Sequence, residues 1–98
     1  MYVVRDVFRC KPGKSRQVAE IFKSALPLMQ KKGGMRHGRI LLDMVADYWI
    51  VVLEAEVENL AEFERELELY GRSEEMRKAV EGYLDYVEGG RREILRIV

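Results

Sequence analysis

The stretch HGRILLDMVADYWIVVLEAEV, residues 37–57, decides the fold. It holds two runs rich in aliphatic, β-branched and aromatic side chains, joined at a short polar break, Ala46-Asp47, which is the pattern of a β-hairpin. With those two residues as the loop, Val45 pairs with Tyr48 and the register runs outward: Leu42 faces Val51, Arg39 faces Glu54, and His37 faces Glu56. One face is then Gly38, Ile40, Leu42 and Met44 against Trp49, Val51, Leu53, Ala55 and Val57, apolar throughout. The other sets His37, Arg39, Leu41, Asp43 and Val45 against Tyr48, Ile50, Val52, Glu54 and Glu56, so that aliphatics mix with charges lying opposite one another. Neither face has the composition of ordinary solvent surface.

Upstream, YVVRDVFRC (residues 2–10) alternates imperfectly, with Val4, Asp6, Phe8 and Cys10 on one side, and predicts a strand. Lys11-Pro12-Gly13-Lys14 stops it, because proline has no N–H for a ladder. Ser15 is placed to cap a helix whose apolar stripe is Val18, Ile21, Phe22, Ala25 and Met29; Pro27 is expected to kink or shorten it, and Gly33-Gly34 to end it. Downstream, Asn59 with Glu62 forms a capping pair that starts a second helix buried along Leu60, Phe63 and Leu67. Gly71 is expected to interrupt that helix, and Ser73 to cap a continuation through Met76, Val80, Tyr83, Leu84 and Val87. Gly89-Gly90 is read as a turn before a last strand, REILRIV.

The order β-α-β-β-α-β predicts an α+β, ferredoxin-like fold in one domain, residues 1–98: a four-stranded antiparallel sheet with two helices on one face. The apolar hairpin face belongs under the helices. That leaves Leu41, Val45, Tyr48, Ile50 and Val52 uncovered, which at ~25 cal/mol per Å² forgoes several kcal/mol of burial. A homodimer packed sheet to sheet is therefore expected, with a partly apolar cavity on the open sheet face.

Composition narrows the classes of function. Lys+Arg and Asp+Glu both number 17, so the basic excess of a general nucleic-acid binder is missing. No apolar run approaches a membrane span. A lone cysteine, Cys10, forms no internal disulfide and, with no signal peptide in view, sets a cytoplasmic expectation. The absence of threonine and the wealth of charge lean toward a thermophilic source.

In the first strand ending in KPGK, in VVLEAEVENLAEFE and in SEEMRKA, the chain resembles the dimeric α+β barrel superfamily of antibiotic-biosynthesis-monooxygenase-like and NIPSNAP-like small proteins. The resemblance covers nearly the whole length and implies a two-subunit barrel with a ligand cavity. Members that oxidise quinols or degrade haem often carry an asparagine on the first strand, a tryptophan ending the third and a histidine on the next helix. The corresponding positions here hold Asp6, then Glu56 or Val57, and no histidine between Leu60 and Tyr70. In the NIPSNAP-like branch an arginine often stands two residues before a first-strand aromatic; here Asp6 precedes Phe8, with Arg5 and Arg9 on either side.

The candidate cavity residues are Asp6, Phe8, His37, Arg39, Tyr48, Glu54 and Glu56, carboxylates and His37 fixing polar groups and the aromatics supplying walls. His37 with Glu54 and Glu56 has the donor types of a metal site, but a cross-strand His37–Glu56 contact beside an Arg39–Glu54 ion pair accounts for the same residues without one. No metal or other cofactor is implied. Four functions compete: a small-molecule-binding homodimer, a cofactor-independent oxygenase, an RNA-binding ferredoxin-like module and a regulatory amino-acid-binding unit. Glu54 and Glu56 in the middle of the open face count against RNA.

Overall fold

The computed structural model describes residues 1–32 and 34–98. Strand β1 (Tyr2–Cys10) leads into α1 (Ser15–Lys32), then β2 (Arg36–Leu42) and β3 (Ile50–Val57). Helices α2 (Leu60–Arg72) and α3 (Glu74–Ala79) follow, with a 3₁₀ turn at Tyr83–Asp85 and a final strand, β4 (Val87–Arg96). The sheet is antiparallel in the order β2-β3-β1-β4, the ferredoxin-like arrangement expected from the sequence.

Local chemistry explains most boundaries. The Asn59 side chain accepts from Glu62 N at 3.0 Å, satisfying one orphan donor at the start of α2. Ser73 closes α2 through its backbone N–H to Tyr70 O and opens α3 by accepting from Met76 N at 3.2 Å. The break therefore falls at Ser73, and α2 runs straight through Gly71. Likewise α1 continues through Pro27, which lies on its exposed side. Of the expected helix stop, Gly33 lies outside the described residues, while Gly34 takes a left-handed φ of 62°.

Three further expectations need correction. The hairpin strands stop at Leu42 and Ile50, so Val45 and Tyr48 do not pair and Met44 and Trp49 lie in the loop instead of the core. A tight two-residue hairpin turn needs positive φ at its first loop residue, and in one of its two forms at both, which Ala46-Asp47 supplies poorly. The left-handed pair falls at Tyr48 and Trp49 instead (φ 56° and 58°), and Asp43 closes the neck by accepting from Ile50 N at 2.9 Å. Gly89-Gly90 is strand, not turn. A Cβ on Gly90 would stand 2.0 Å from Val7 O, so these glycines let β4 lie close against β1. The second-helix stripe accordingly ends early: Leu84 is exposed and Val87 begins β4.

The hairpin register is as expected from Leu42 opposite Val51 to Arg39 opposite Glu54. Beyond it a bulge places both His37 and Gly38 between Arg36–Glu56 and Arg39–Glu54. His37 takes φ 53° there, and Gly38 lies so close to α1 that a Cβ would stand 2.7 Å from Leu26. The helices cover one face of the sheet. Val18, Phe22, Ala25 and Met29 of α1, Phe63 of α2 and Met76 of α3 are buried, as are Val4, Cys10, Val51, Ala55 and Val57 of the strands.

Candidate functional site

Cross-strand pairing assigns each candidate residue to a face, because directly opposed residues point the same way. Arg39, Glu54, Arg5 and Glu93 form one row across all four strands, on the face away from the helices. Charges alternate along it. Arg5 donates to Glu54 Oε2 through Nε at 3.0 Å and Nη2 at 2.8 Å, and Arg39 donates to Oε1 at 2.9 and 2.6 Å. Glu54 is only 8% exposed although no second layer covers it, since the two arginines and its sheet neighbours shield it. The hydrogen bonds from Arg5, then those and the charge of Arg39, outweigh desolvation and hold its carboxyl below the usual range. At the sheet edge His37 Nδ1 lies 3.0 Å from Glu56 Oε2, so both cross-strand contacts expected from the sequence form. The next row begins with aliphatic Leu41, Val52 and Val7 and ends at Arg91 on β4.

Asp6 and Phe8 point the other way, under the helices. Phe8 packs on Phe22 at 4.8 Å and meets Tyr83 edge-on at 6.1 Å. Asp6 accepts from Arg92 Nε at 2.5 Å and Nη2 at 3.1 Å, and the Arg92 guanidinium lies 5.5 Å from the Phe63 ring. That carboxylate raises Arg92 above its ordinary value against the opposing effect of burial. The seven candidates are thus not one site: His37, Arg39, Glu54 and Glu56 share the open face, Asp6 and Phe8 the covered face, and Tyr48 stands exposed in the loop.

The concavity with the most apolar, most deeply buried walls lies on the covered side, not on the open one. A cavity of about 190 Å³ separates the sheet from the helices, walled by Phe8, Phe22, Met29, Phe63 and Met76, with Asp6, Arg92 and Tyr70 as its polar edge. Tyr70 donates its hydroxyl to Met29 O at 2.8 Å; burial, helped by the charge of Glu66, pushes its pKa up to about 12, so it is a hydrogen-bond donor and not a base at neutral pH. A broader groove of about 950 Å³ between the start of α1 and the hairpin loop is bounded mainly by exposed side chains and lacks enclosure. Cys10 is buried, with its thiol raised chiefly by desolvation and further by Asp43, the opposite of an activated nucleophile. Among the described residues no cluster of three or more His, Cys, Asp or Glu side chains is disposed to hold a metal ion, and no helix is long and apolar enough to cross a membrane.

Sequence reasoning missed Arg92, Tyr70 and Tyr83 as lining residues and Arg5 as the second partner of Glu54. The β1–β4 register would have exposed Arg92, since it lies opposite Asp6. Taking Gly89-Gly90 as a turn hid that register.

No family model and no curated protein matches the sequence. Solved structures do. A NIPSNAP domain protein from Burkholderia xenovorans superposes with a TM-score of 0.83 at 14% identity, covering 100% of this chain and 95% of the other. A NIPSNAP family protein from Agrobacterium tumefaciens gives 0.83 at 10% identity over 99% and 85%. An antibiotic biosynthesis monooxygenase-like protein from Chloroflexus aurantiacus gives 0.73 at 11% over 99% and 92%. With these neighbours and the β2-β3-β1-β4 sheet, the chain has the ferredoxin-like fold of the NIPSNAP and antibiotic-biosynthesis-monooxygenase-like structures.

Proposed function

We propose that the chain binds a small, largely apolar organic molecule between its sheet and its helices, and that two copies pack through the open sheet face. One observation carries the ligand reading, the aromatic- and methionine-walled cavity of about 190 Å³. Protein interiors are close-packed, so apolar walls that leave about 190 Å³ between sheet and helices unfilled forgo dispersion contacts. A guest offsets that deficit. The dimer reading rests on Leu41, Ile50, Val52 and Leu95, which no element among the described residues covers.

Thermal unfolding with toluene as probe tests the cavity. Near-saturating toluene should raise the Tm by several degrees. Ala55→Leu, which adds carbons at a lining position, should fold and lose that shift. No shift in the unchanged chain, or an equal shift in Ala55→Leu, would overturn the reading. Light scattering at micromolar concentration tests the association: a monomer would remove the sheet-to-sheet pair.

A further inference from the structure

The two charges at the cavity mouth decide what kind of molecule it admits. Among the described residues lining the cavity, only Asp6 and Arg92 carry charge at neutral pH, and they are joined by two hydrogen bonds of 2.5 and 3.1 Å. Their side chains are 18% and 42% exposed, which places the pair where the enclosure meets solvent. The pair sums to zero. A carboxylate guest gains Arg92 but lies against Asp6, and an ammonium guest meets the reverse, so either ion brings one uncompensated charge into an apolar enclosure.

The pair still has bonding capacity. Its two bonds use two of the five guanidinium N–H groups, and each carboxylate oxygen keeps a lone-pair direction. The Phe63 ring, 5.5 Å from the guanidinium carbon, adds a cation–π contact. A single neutral group that donates to the carboxylate and accepts from the guanidinium therefore spans both. Size sets the rest: an engineered cavity of about 150 Å³ in another protein holds one benzene ring. The cavity here is slightly larger, about 190 Å³, enough for one ring with a small substituent.

We infer, building on the cavity proposed above, that the site selects a neutral, hydroxylated single-ring molecule, its O–H donated to Asp6 and its oxygen accepting from Arg92, with the ring against Phe8 and Phe22. The ring edge fits the methionine-rich wall as well, since thioethers favour aromatic contacts.

Calorimetric titration of the unmodified chain at pH 7 with four probes of similar shape tests this: 4-methylphenol, toluene, 4-methylbenzoate and 4-methylbenzylammonium. The hydroxyl should make 4-methylphenol bind about tenfold tighter than toluene, and each ion should bind at least about tenfold more weakly than 4-methylphenol. Asp6→Asn, which strips Arg92 of its counter-charge, should move the preference to 4-methylbenzoate, and Arg92→Gln should move it to the ammonium. Equal affinities for toluene and 4-methylphenol, or tighter binding of either ion by the unmodified chain, would overturn the ligand class and leave the cavity standing. Binding of none of the four would remove the cavity reading and this inference together. Should a variant not fold, the four-probe series on the unmodified chain decides alone.

Discussion

The two faces of this sheet solve different problems with the same strands. Under the helices, Phe8, Val51, Ala55 and Val57 meet Phe22 and Phe63, and the Asp6–Arg92 pair is held to the rim of a cavity. On the open side, a charged row, Arg39-Glu54-Arg5-Glu93, runs across all four strands beside an aliphatic stretch, Leu41-Val52-Val7. The covered face is stabilised by dewetting. The open face stabilises its charges by pairing and keeps its aliphatics available to another surface. Opposite titration behaviour shows the contrast within one small fold: burial dominates at Tyr70, whereas arginine hydrogen bonds win over burial at Glu54.

Deleting bulk on each side gives the widest separation. Phe22 is 2% exposed and contacts both Phe8 and Tyr83, so Phe22→Ala should cost about 3–5 kcal/mol in urea unfolding. Val52→Ala on the open face should cost under about 1 kcal/mol at a dilution where the chain is monomeric. Comparable losses would mean that the open face is packed in the single chain, and the comparison would fail. Ile50→Asp comes next. A carboxylate on the proposed contact face should weaken self-association about 100-fold by sedimentation, close to 2.7 kcal/mol, with a much smaller effect on the isolated chain. An unchanged association state would place the contact elsewhere.

What the sequence disclosed follows from how local each signal is. Asn59 and Ser73 cap within three residues of themselves, so both helix starts were readable. The hairpin register was readable because a one-residue slip would throw Arg39 and Glu54 under the helices. The Asp6–Arg92 pair spans 86 positions and depends on β4 lying beside β1, a fact concealed by two glycines that look like a turn but permit close strand approach. The cavity was not legible at all. It is a shortfall of volume between Phe8, Met29, Phe63 and Met76, and no hydrophobic pattern records missing volume. The loop was misjudged because two consecutive aromatics with positive φ, Tyr48 and Trp49, run against every turn preference.

Removing the charge at the centre of the open row should have an intermediate effect. Glu54→Gln leaves Arg5 and Arg39 without a shared acceptor charge and should cost about 2 kcal/mol near pH 7, discounted in high salt because both arginines reach solvent. The sign of its pH dependence is fixed. Glu54 has a lowered pKa in the folded chain, so its contribution is present above the ordinary value of 4.5 and fades as pH falls through the folded value. Unfolding curves of the two proteins should therefore converge on acidification. A gap that persists undiminished well below that range would show that Glu54 acts through shape and not through charge.

The smallest expected effect belongs to the covered face and titrates at the opposite end. Tyr70→Phe removes one hydroxyl, bonded to Met29 O at 2.8 Å, and should cost about 1 kcal/mol at neutral pH. Tyr70 has its folded pKa raised from 10.0 to about 12, so its stabilising contribution is complete below pH 10 and is lost as pH rises toward 12. The wild-type chain should lose stability across that interval faster than Tyr70→Phe. The cause can also be separated. Glu66→Gln removes the minor, charge-based contribution and should move the Tyr70 absorbance titration only slightly downward, because desolvation is the main cause. If Glu66→Gln returned Tyr70 to an ordinary tyrosine titration, charge and not dewetting would govern this side of the sheet, and the two faces would differ in arrangement but not in kind.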